Sequence, residues 1–391
     1  MSRSLLPADR RPVIVAARRS AIGRAGGMFR DVDLENIAAP VLRAALADTP
    51  FVVSQIDDVI LGNAAGPGGN IARLSALVAW QDISVPGVTT DRQCGAGLEA
   101  VIHACRLIQA GAGDVYVAGG AESHSRKPLR ALPGQKGKAP NFYDRARFSP
   151  DTIGDPEMGA AADVVAQAHN ITRERQDAFA LRSHSRAIHA QTNGAFDTEI
   201  VSIEGQHQDE CPRDTLSPER LARLRPAFGK NGTVTVGNAC PLNDGAAALV
   251  VTSAGFAKAH GITHALEFLD AASAGVDPNL LGIGPVASTR KLLDRNPEVS
   301  LGAVTHLEFN EAFAAQVLAS LDLLAVSEDL ANAQGGAIAL GHPFGASGAI
   351  LVTRLFAQLV TLPQPETALA MAMIGIGGGQ GLTAMFRPAH L

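Results

Sequence analysis

A cysteine standing directly ahead of a run of small residues is the first place in this chain where chemistry can be read. Cys94 precedes Gly95-Ala96-Gly97, and Leu98, Val101, Ile102, Cys105 and Ile108 follow at the three- and four-residue steps of one buried helix face. Cys94 is therefore expected where a loop enters a helix. Unpaired N–H groups and the positive end of the helix dipole gather at such a place, and they lower a thiol pKa toward a usable thiolate. The glycines let a substrate carbonyl come close. On this stretch alone a buried cysteine is the commoner case, since free thiols are among the most buried side chains. A second candidate, His342, lies in Gly341-His342-Pro343 ahead of a glycine-opened helix over residues 345–359. Thiol and imidazole together make a nucleophile–base pair, although a histidine beside proline often only caps backbone. Asn310, at the end of an apolar strand, can orient a water or a ring nitrogen. The glycine turns nearby offer N–H donors to an oxyanion. No His/Cys/Asp cluster has metal-ligand spacing. GIGGGQG at 375–381 is not read as a dinucleotide fingerprint, because no βαβ unit follows it.

The elements that must hold these residues follow from composition and pattern. The chain has 391 residues, 46% hydrophobic and 18% charged, with a net charge of −5. That is an ordinary globular composition with ample core, and it gives no reason to expect nucleic acid or an anionic membrane surface. Four cysteines, none in CxxC spacing, argue against a zinc ribbon or a disulfide framework and fit a reducing cytoplasm. The opening MSRSLLPADRRP has no apolar segment of the signal-peptide kind. No charge-free apolar run approaches the roughly 18 residues of a membrane span. Strands are expected at 12–17, 59–61, 115–118, 307–309 and 369–374, and helices at 34–46, 71–79, 158–169, 173–193 and 311–324. Their alternation argues an α/β fold with largely parallel pairing. From about Ser123 onward, arginines and lysines lie among prolines and glycines. That basic loop reads as a solvated surface or as a phosphate or subunit contact. Residues 124–242 are read as an insertion on a first half made of 1–123 and 243–263, and 264–391 as a second half. The second half repeats the layout of the first: strand ending in Asn, helix, glycine-opened helix, strand ending in glycines. Such a duplication puts Cys94 and His342 at equivalent helix starts about a pseudo-twofold axis.

These stretches resemble the thiolases, the acyl-CoA C-acyltransferases, over nearly the whole chain. The motifs are QCGAGLEA around Cys94, AGGAES at 118–123, GNACPLNDGAA at 237–247, NEAFAAQ at 310–316, GGAIALGHPFGASG at 335–348 and GIGGGQG at 375–381. The resemblance implies a thiolase fold, with two duplicated α/β halves in a five-layered αβαβα core and 124–242 as a loop domain that binds coenzyme A. It implies a homodimer or homotetramer. It also implies coenzyme A and acyl-CoA as substrates, with no permanently bound cofactor, and a place in fatty acid metabolism. By position, Cys94 matches the residue that takes up the acyl group. His342 matches the histidine that activates it, and Asn310 the asparagine that fixes a water in the first oxyanion hole. The N–H groups of Cys94 and Gly377 match the second hole. Arg213 and Arg220 are expected at the nucleotide end of coenzyme A. Met158, Ala239, Cys240 and Phe313 are expected along its arm, with Cys240 where a serine usually meets the pantetheine.

One departure stands out. The family usually opens its last glycine motif with a second cysteine, which moves the proton at the α-carbon of the second acyl-CoA. Here that position is Gly375. A related subgroup carries this cysteine one residue past the acidic position of the asparagine motif, which here is Ala312. Losing a positioned acid–base group typically costs about 10²–10⁴-fold. Three functions follow. The first is thiolysis or condensation of 3-oxoacyl-CoA through an acyl-cysteine, with another group covering for the thiol. The second is altered acyl transfer, by decarboxylative condensation or thioester hydrolysis. The third is a non-catalytic coenzyme A-binding protein.

Overall fold

A computed structural model of the chain describes residues 7–362, 364–365 and 367–391. Residues 1–6, part of the segment on which the signal-peptide expectation rests, lie outside that set. The first half runs β1 (Pro12–Ser20), α1 (Leu34–Ala47), β2 (Asp58–Gly62), α2 (Ile71–Trp80), β3 (Gly87–Thr90), α3 (Ala96–Ala110) and β4 (Val115–Ser123). The inserted stretch carries α4 (Met158–Ala168) and α5 (Arg173–Thr192). The chain then returns in β5 (Asn243–Ser253). The second half runs β6 (His264–Gly275), α6 (Gly284–Arg295), β7 (Val304–Phe309), α7 (Ala314–Leu324), α8 (Phe344–Phe356), β8 (Leu369–Ile376) and β9 (Gln380–His390).

The internal repeat is visible in the strand order. One half-sheet reads β3-β2-β4-β5-β1 and the other β7-β8-β9-β6. In each, a parallel pair comes first, β2 with β4 and β7 with β8. Two antiparallel pairs then follow, β4–β5–β1 and β8–β9–β6. The halves join where β1 pairs antiparallel with β6 at Val13↔Glu267 and Ile14↔Leu266. The expectation of largely parallel pairing is thus corrected. The last strand of each half pairs antiparallel with both of its neighbours, β5 after the long inserted stretch and β9 directly after β8. For β8 and β9 the connection is a tight turn, Gly377-Gly378-Gly379, with Gly378 and Gly379 at φ +81° and +74°, a conformation open to glycine. A hairpin connection dictates antiparallel pairing.

Packing explains the continuous apolar runs. In β5, Ala246, Ala248 and Val250 enter one apolar cluster with α1 and α2, while Ala247, Leu249 and Val251 enter another with α3 and α8. A strand buried on both faces needs apolar residues at every position. A third cluster lies on the far side of the second half-sheet, where Met371, Met373 and Met385 pack against α4 and α7. The result is five layers, α1/α2, sheet, α3/α8, sheet, α6/α7. Helix α8 is buried on nearly all sides, which is why its sequence is apolar all round. The two central helices touch through glycine. A Cβ on Gly345 would lie 2.7 Å from Asn63 Cα and 2.8 Å from the carbonyl of Gly62, and one on Gly97 would lie 2.7 Å from the carbonyl of Gly345.

A buried ionic cluster ties the inserted stretch to both halves. Arg19 of β1 donates to Glu199 (2.7 Å) and through two nitrogens to Asp209 (2.7 and 2.9 Å). Arg354 of α8 donates to the other oxygen of Glu199. The Phe196 ring lies 5.2 Å from the Arg19 guanidinium and 4.4 Å from that of Arg354.

Candidate active site

Cys94 and His342 occupy matching places, each two residues ahead of a central helix, α3 and α8. The turn before Cys94 is forced into a left-handed conformation at Gln93, φ +43°, which few non-glycine residues adopt. The N–H of Gln93 is held by the Asp91 carboxylate at 2.8 Å. Gly95 abuts Ile376, whose Cδ1 would lie 2.5 Å from a Cβ there. The sulfur of Cys94 consequently meets its own N–H and that of Gly377. Arg92 fastens the same turn to β9 through Gln380 at 3.2 Å.

The thiol is not the lowered one that a helix start suggests. Burial pushes Cys94 up to about 12, with Glu122 and Asp91 adding to the rise and the two N–H groups opposing it. Desolvation of the thiolate outweighs a helix end when water is excluded. Cys94 is therefore a neutral thiol that needs a base.

His342 is buried, 2% exposed, and burial holds its imidazole down to about 3, with His124 as a smaller cause. The backbone N–H of His342 donates to Asn243 Oδ1 at 2.8 Å. Nδ1 lies 2.6 Å from Ser347 Oγ. With that hydroxyl donating to the carbonyl of Pro343, 3.0 Å away, it is placed to accept from Nδ1–H, the tautomer that the Asn310 amide nitrogen beside Nε2 also suits. That tautomer leaves Nε2 bare. Nε2 faces Asn310, whose Nδ2 donates to it at 3.4 Å. Asn310 is itself set by its N–H bond to the carbonyl of Met373 on β8, 2.9 Å. The helix expected over 311–324 begins only at Ala314. Residues 310–313 stay non-helical, with Phe313 extended (φ −145°), because the N–H of Ala314 is committed to the carbonyl of Asn238 at 2.9 Å.

Two buried carboxylates frame the site, and neither was legible as functional in the sequence. Glu122 accepts from the N–H groups of Ala64, Ala65 and Gly345, each at 3.0 Å, and of Gly66 at 3.2 Å. It thereby clamps the start of α8 to the end of β2. Glu311 accepts from Ser183 of α5 at 2.6 Å, from Asn332 at 2.7 Å and from the N–H of Ile338 at 3.1 Å. Both lie inside motifs, but only the long-range partners reveal their work. Ser347 was missed for the same reason, five positions from His342 along the chain. Phe148 was also missed, and its ring would meet a Cβ on Gly377 at 2.7 Å.

The coenzyme-arm candidates divide into two groups. Ala239 bridges Phe313, and Met158, Ala239 and Phe313 share one apolar cluster. Cys240 follows at once, its N–H on the carbonyl of Ala312 at 3.0 Å. Phe228 stacks edge-on against Phe313 at 6.1 Å. Arg213 and Arg220 are exposed on the inserted stretch. No carboxylate pairs with either guanidinium among the described residues, and Arg220 donates only to the carbonyl of Thr215, at 2.7 Å. The two larger cavities, about 570 and 740 Å³, line α5 and α4 rather than Cys94.

Known family models match nearly the whole chain. Residues 12–255 match the family described as thiolase, N-terminal domain, and residues 262–388 match thiolase, C-terminal domain. The chain belongs to the thiolase family. A putative acetyl-CoA C-acetyltransferase, VraB, of Staphylococcus epidermidis is 44% identical over 384 residues, covering 96% of this chain and 98% of that protein. Its namesake in Staphylococcus aureus is 44% identical over 381 residues, with 96% and 98% coverage. The crystal structure of the Bacillus anthracis acetyl-CoA acetyltransferase superposes with a TM-score of 0.90 at 37% identity, covering 98% of this chain and 100% of that one. This thiolase is accordingly an acyltransferase with the thiolase fold.

Proposed function

We propose that the chain moves acyl groups between coenzyme A thioesters through Cys94, by thiolysis or formation of 3-oxoacyl-CoA. The observation that carries this reading is the tautomer of His342. Its bare Nε2 is held toward the site by Ser347 behind and Asn310 beside it. A base of that kind takes the Cys94 proton as the sulfur attacks a thioester carbonyl. Neither group then needs to titrate beforehand, which suits a thiol raised to about 12 and an imidazole lowered to about 3. Once protonated, Nε2–H becomes a donor to the substrate oxygen beside Asn310. The N–H groups of Cys94 and Gly377, which converge on the sulfur, serve as the oxyanion donors for the acyl-cysteine carbonyl. Arg213 and Arg220 are free to meet phosphate oxygens of coenzyme A.

The reading includes a homo-oligomer. Val88 on the edge strand β3 and Leu74 and Val78 on the neighbouring α2 are exposed apolar residues, the kind of surface a second copy covers. The deciding experiment is an intact mass after incubation with acetyl-CoA. One acetyl group on Cys94, absent in Cys94→Ser, is expected, followed by its release to added coenzyme A. An unmodified Cys94 would sink the reading. Turnover with malonyl-CoA but never with acetyl-CoA as second substrate would replace it by decarboxylative condensation.

A further inference from the structure

Gly375 leaves open the group that moves the proton at the α-carbon of the second substrate. A side chain would fit there: a Cβ would lie 3.6 Å from the carbonyl of Gly282, 3.7 Å from Gln316 Nε2 and 3.7 Å from Pro285 Cδ, all ordinary contacts. The notch is therefore vacant rather than filled from elsewhere, and Gly375 is not fully buried. Gln316, 2% exposed, aims a donor at it that has no partner, Nε2. A buried N–H without an acceptor costs about 1–3 kcal/mol, and a substrate oxygen seated in the notch would satisfy it.

Several ionisable side chains of the site are already committed. Glu311 is consumed by Ser183, Asn332 and Ile338. Glu122 is consumed by four backbone N–H groups. His124 is separated from His342 by the Phe344 ring, 4.7 Å from one imidazole and 4.9 Å from the other. Cys105 lies within the apolar core, and Cys211 is buried and engaged by Asn243 Nδ2 at 3.3 Å. Cys240 remains. It is half-buried, as Cys94 is; burial raises its thiol, and charge on the Cys94 sulfur raises it further. Its backbone is pinned to Ala312, four residues before Gln316, and the loop continues through Leu242 to bridge His342. The 237–247 motif thus seats Cys240 between the asparagine motif and His342.

We propose that Cys240 is the acid–base residue at the α-carbon in this chain. The assignment rests on the acyl-cysteine reading above. In thiolysis, Cys94 sulfur bonds to C3 of the 3-oxoacyl-CoA while His342 takes its proton. The C2–C3 bond breaks, and the electron pair left on C2 takes the proton of the Cys240 thiol, releasing acetyl-CoA. Incoming coenzyme A gives its thiol proton to the Cys240 thiolate as its sulfur attacks the acyl-cysteine. Cys94 leaves as thiolate and recovers its proton from His342. Every proton is returned, and no redox partner is needed.

The test uses Cys240→Ser, which keeps shape and hydrogen bonding for a pantetheine contact but removes the titrating thiol. Acetylation of Cys94 should persist in this variant. Its kcat for acetoacetyl-CoA thiolysis, and its exchange of acetyl-CoA α-protons with D2O, should fall by about 10²-fold or more, with KM little changed. Adding Gly375→Cys to Cys240→Ser should restore at least about tenfold, which a merely structural defect would not allow. A Cys240→Ser enzyme that exchanges α-protons within about threefold of the parent overturns the assignment. So does a raised KM with unchanged kcat, which would make residue 240 a binding contact only. Parent protein whose Cys94 takes no acetyl group overturns the acyl-cysteine reading, and this assignment with it.

Discussion

Ser347→Ala tests whether the tautomer of His342 is what makes Cys94 a nucleophile. In the folded chain the serine accepts from Nδ1–H at 2.6 Å and is itself saturated by Pro343. Alanine removes the acceptor and leaves a buried N–H unpaired, a penalty of about 1–3 kcal/mol. The imidazole escapes that penalty by moving its proton to Nε2, where it can no longer accept from the thiol. If most of the penalty falls on the productive tautomer, Cys94 acetylation slows by roughly 10- to 100-fold, at 1.36 kcal/mol per factor of ten. The assay is a quenched time course of acetyl-CoA labelling read by intact mass, repeated from about pH 5 to about pH 9. Because His342 sits near 3 and Cys94 near 12, neither titrates in that window. The rate should be flat with pH in the parent, and lower but still flat in the variant. Nitrogen NMR of labelled histidine should place the proton on Nδ1 in the parent and mainly on Nε2 in the variant. Acetylation within about twofold of the parent, with the Nδ1–H signal retained, would refute the tautomer argument.

Other perturbations follow from the same coordinates. Glu199→Ala strips a carboxylate from both Arg19 and Arg354, and denaturant unfolding should show a loss of about 3–5 kcal/mol, the usual cost of orphaning a buried charge. Gly345→Ala sets a methyl against Asn63 Cα and the Gly62 carbonyl, backbone atoms that cannot yield. Overpacking of about 1–3 kcal/mol or more should appear as a lowered Tm together with slowed acetylation. Glu308 is raised from 4.5 to about 7 by burial, which outweighs Arg354 and the bond from Gln358. Between about 4.5 and about 7 the unfolded chain gives up that proton while the folded chain keeps it, so the contribution of Glu308 to stability is full below this window and falls as pH rises through it. Glu308→Gln cannot titrate, and its stability relative to the parent should improve across that range. A difference independent of pH would show that Glu308 is not held protonated.

Much of the frame of the candidate site was legible from short stretches of chain. The apolar spacing behind Cys94 announced α3, and the repeat of strand, asparagine, glycine-opened helix and glycine turn announced two halves with His342 opposite Cys94. These features rest on backbone conformation and on which face of a helix or strand is apolar, and both are encoded within a dozen neighbouring residues. Pairing direction was not legible, because the long apolar runs of β4 and β5 say only that both faces are buried. Nor was the chemistry of the pair. A helix start lowers a thiol, yet Cys94 is raised because the neighbours packed around it desolvate its thiolate. The bare Nε2 of His342 depends on Ser347 and on a strand end carrying Asn310. The place of Cys240 beside the asparagine motif depends on a hydrogen bond to Ala312, 72 positions further along the chain. Desolvation and hydrogen-bond partnership are set by what the fold brings alongside, so they belong to the assembled molecule and not to any stretch of its sequence.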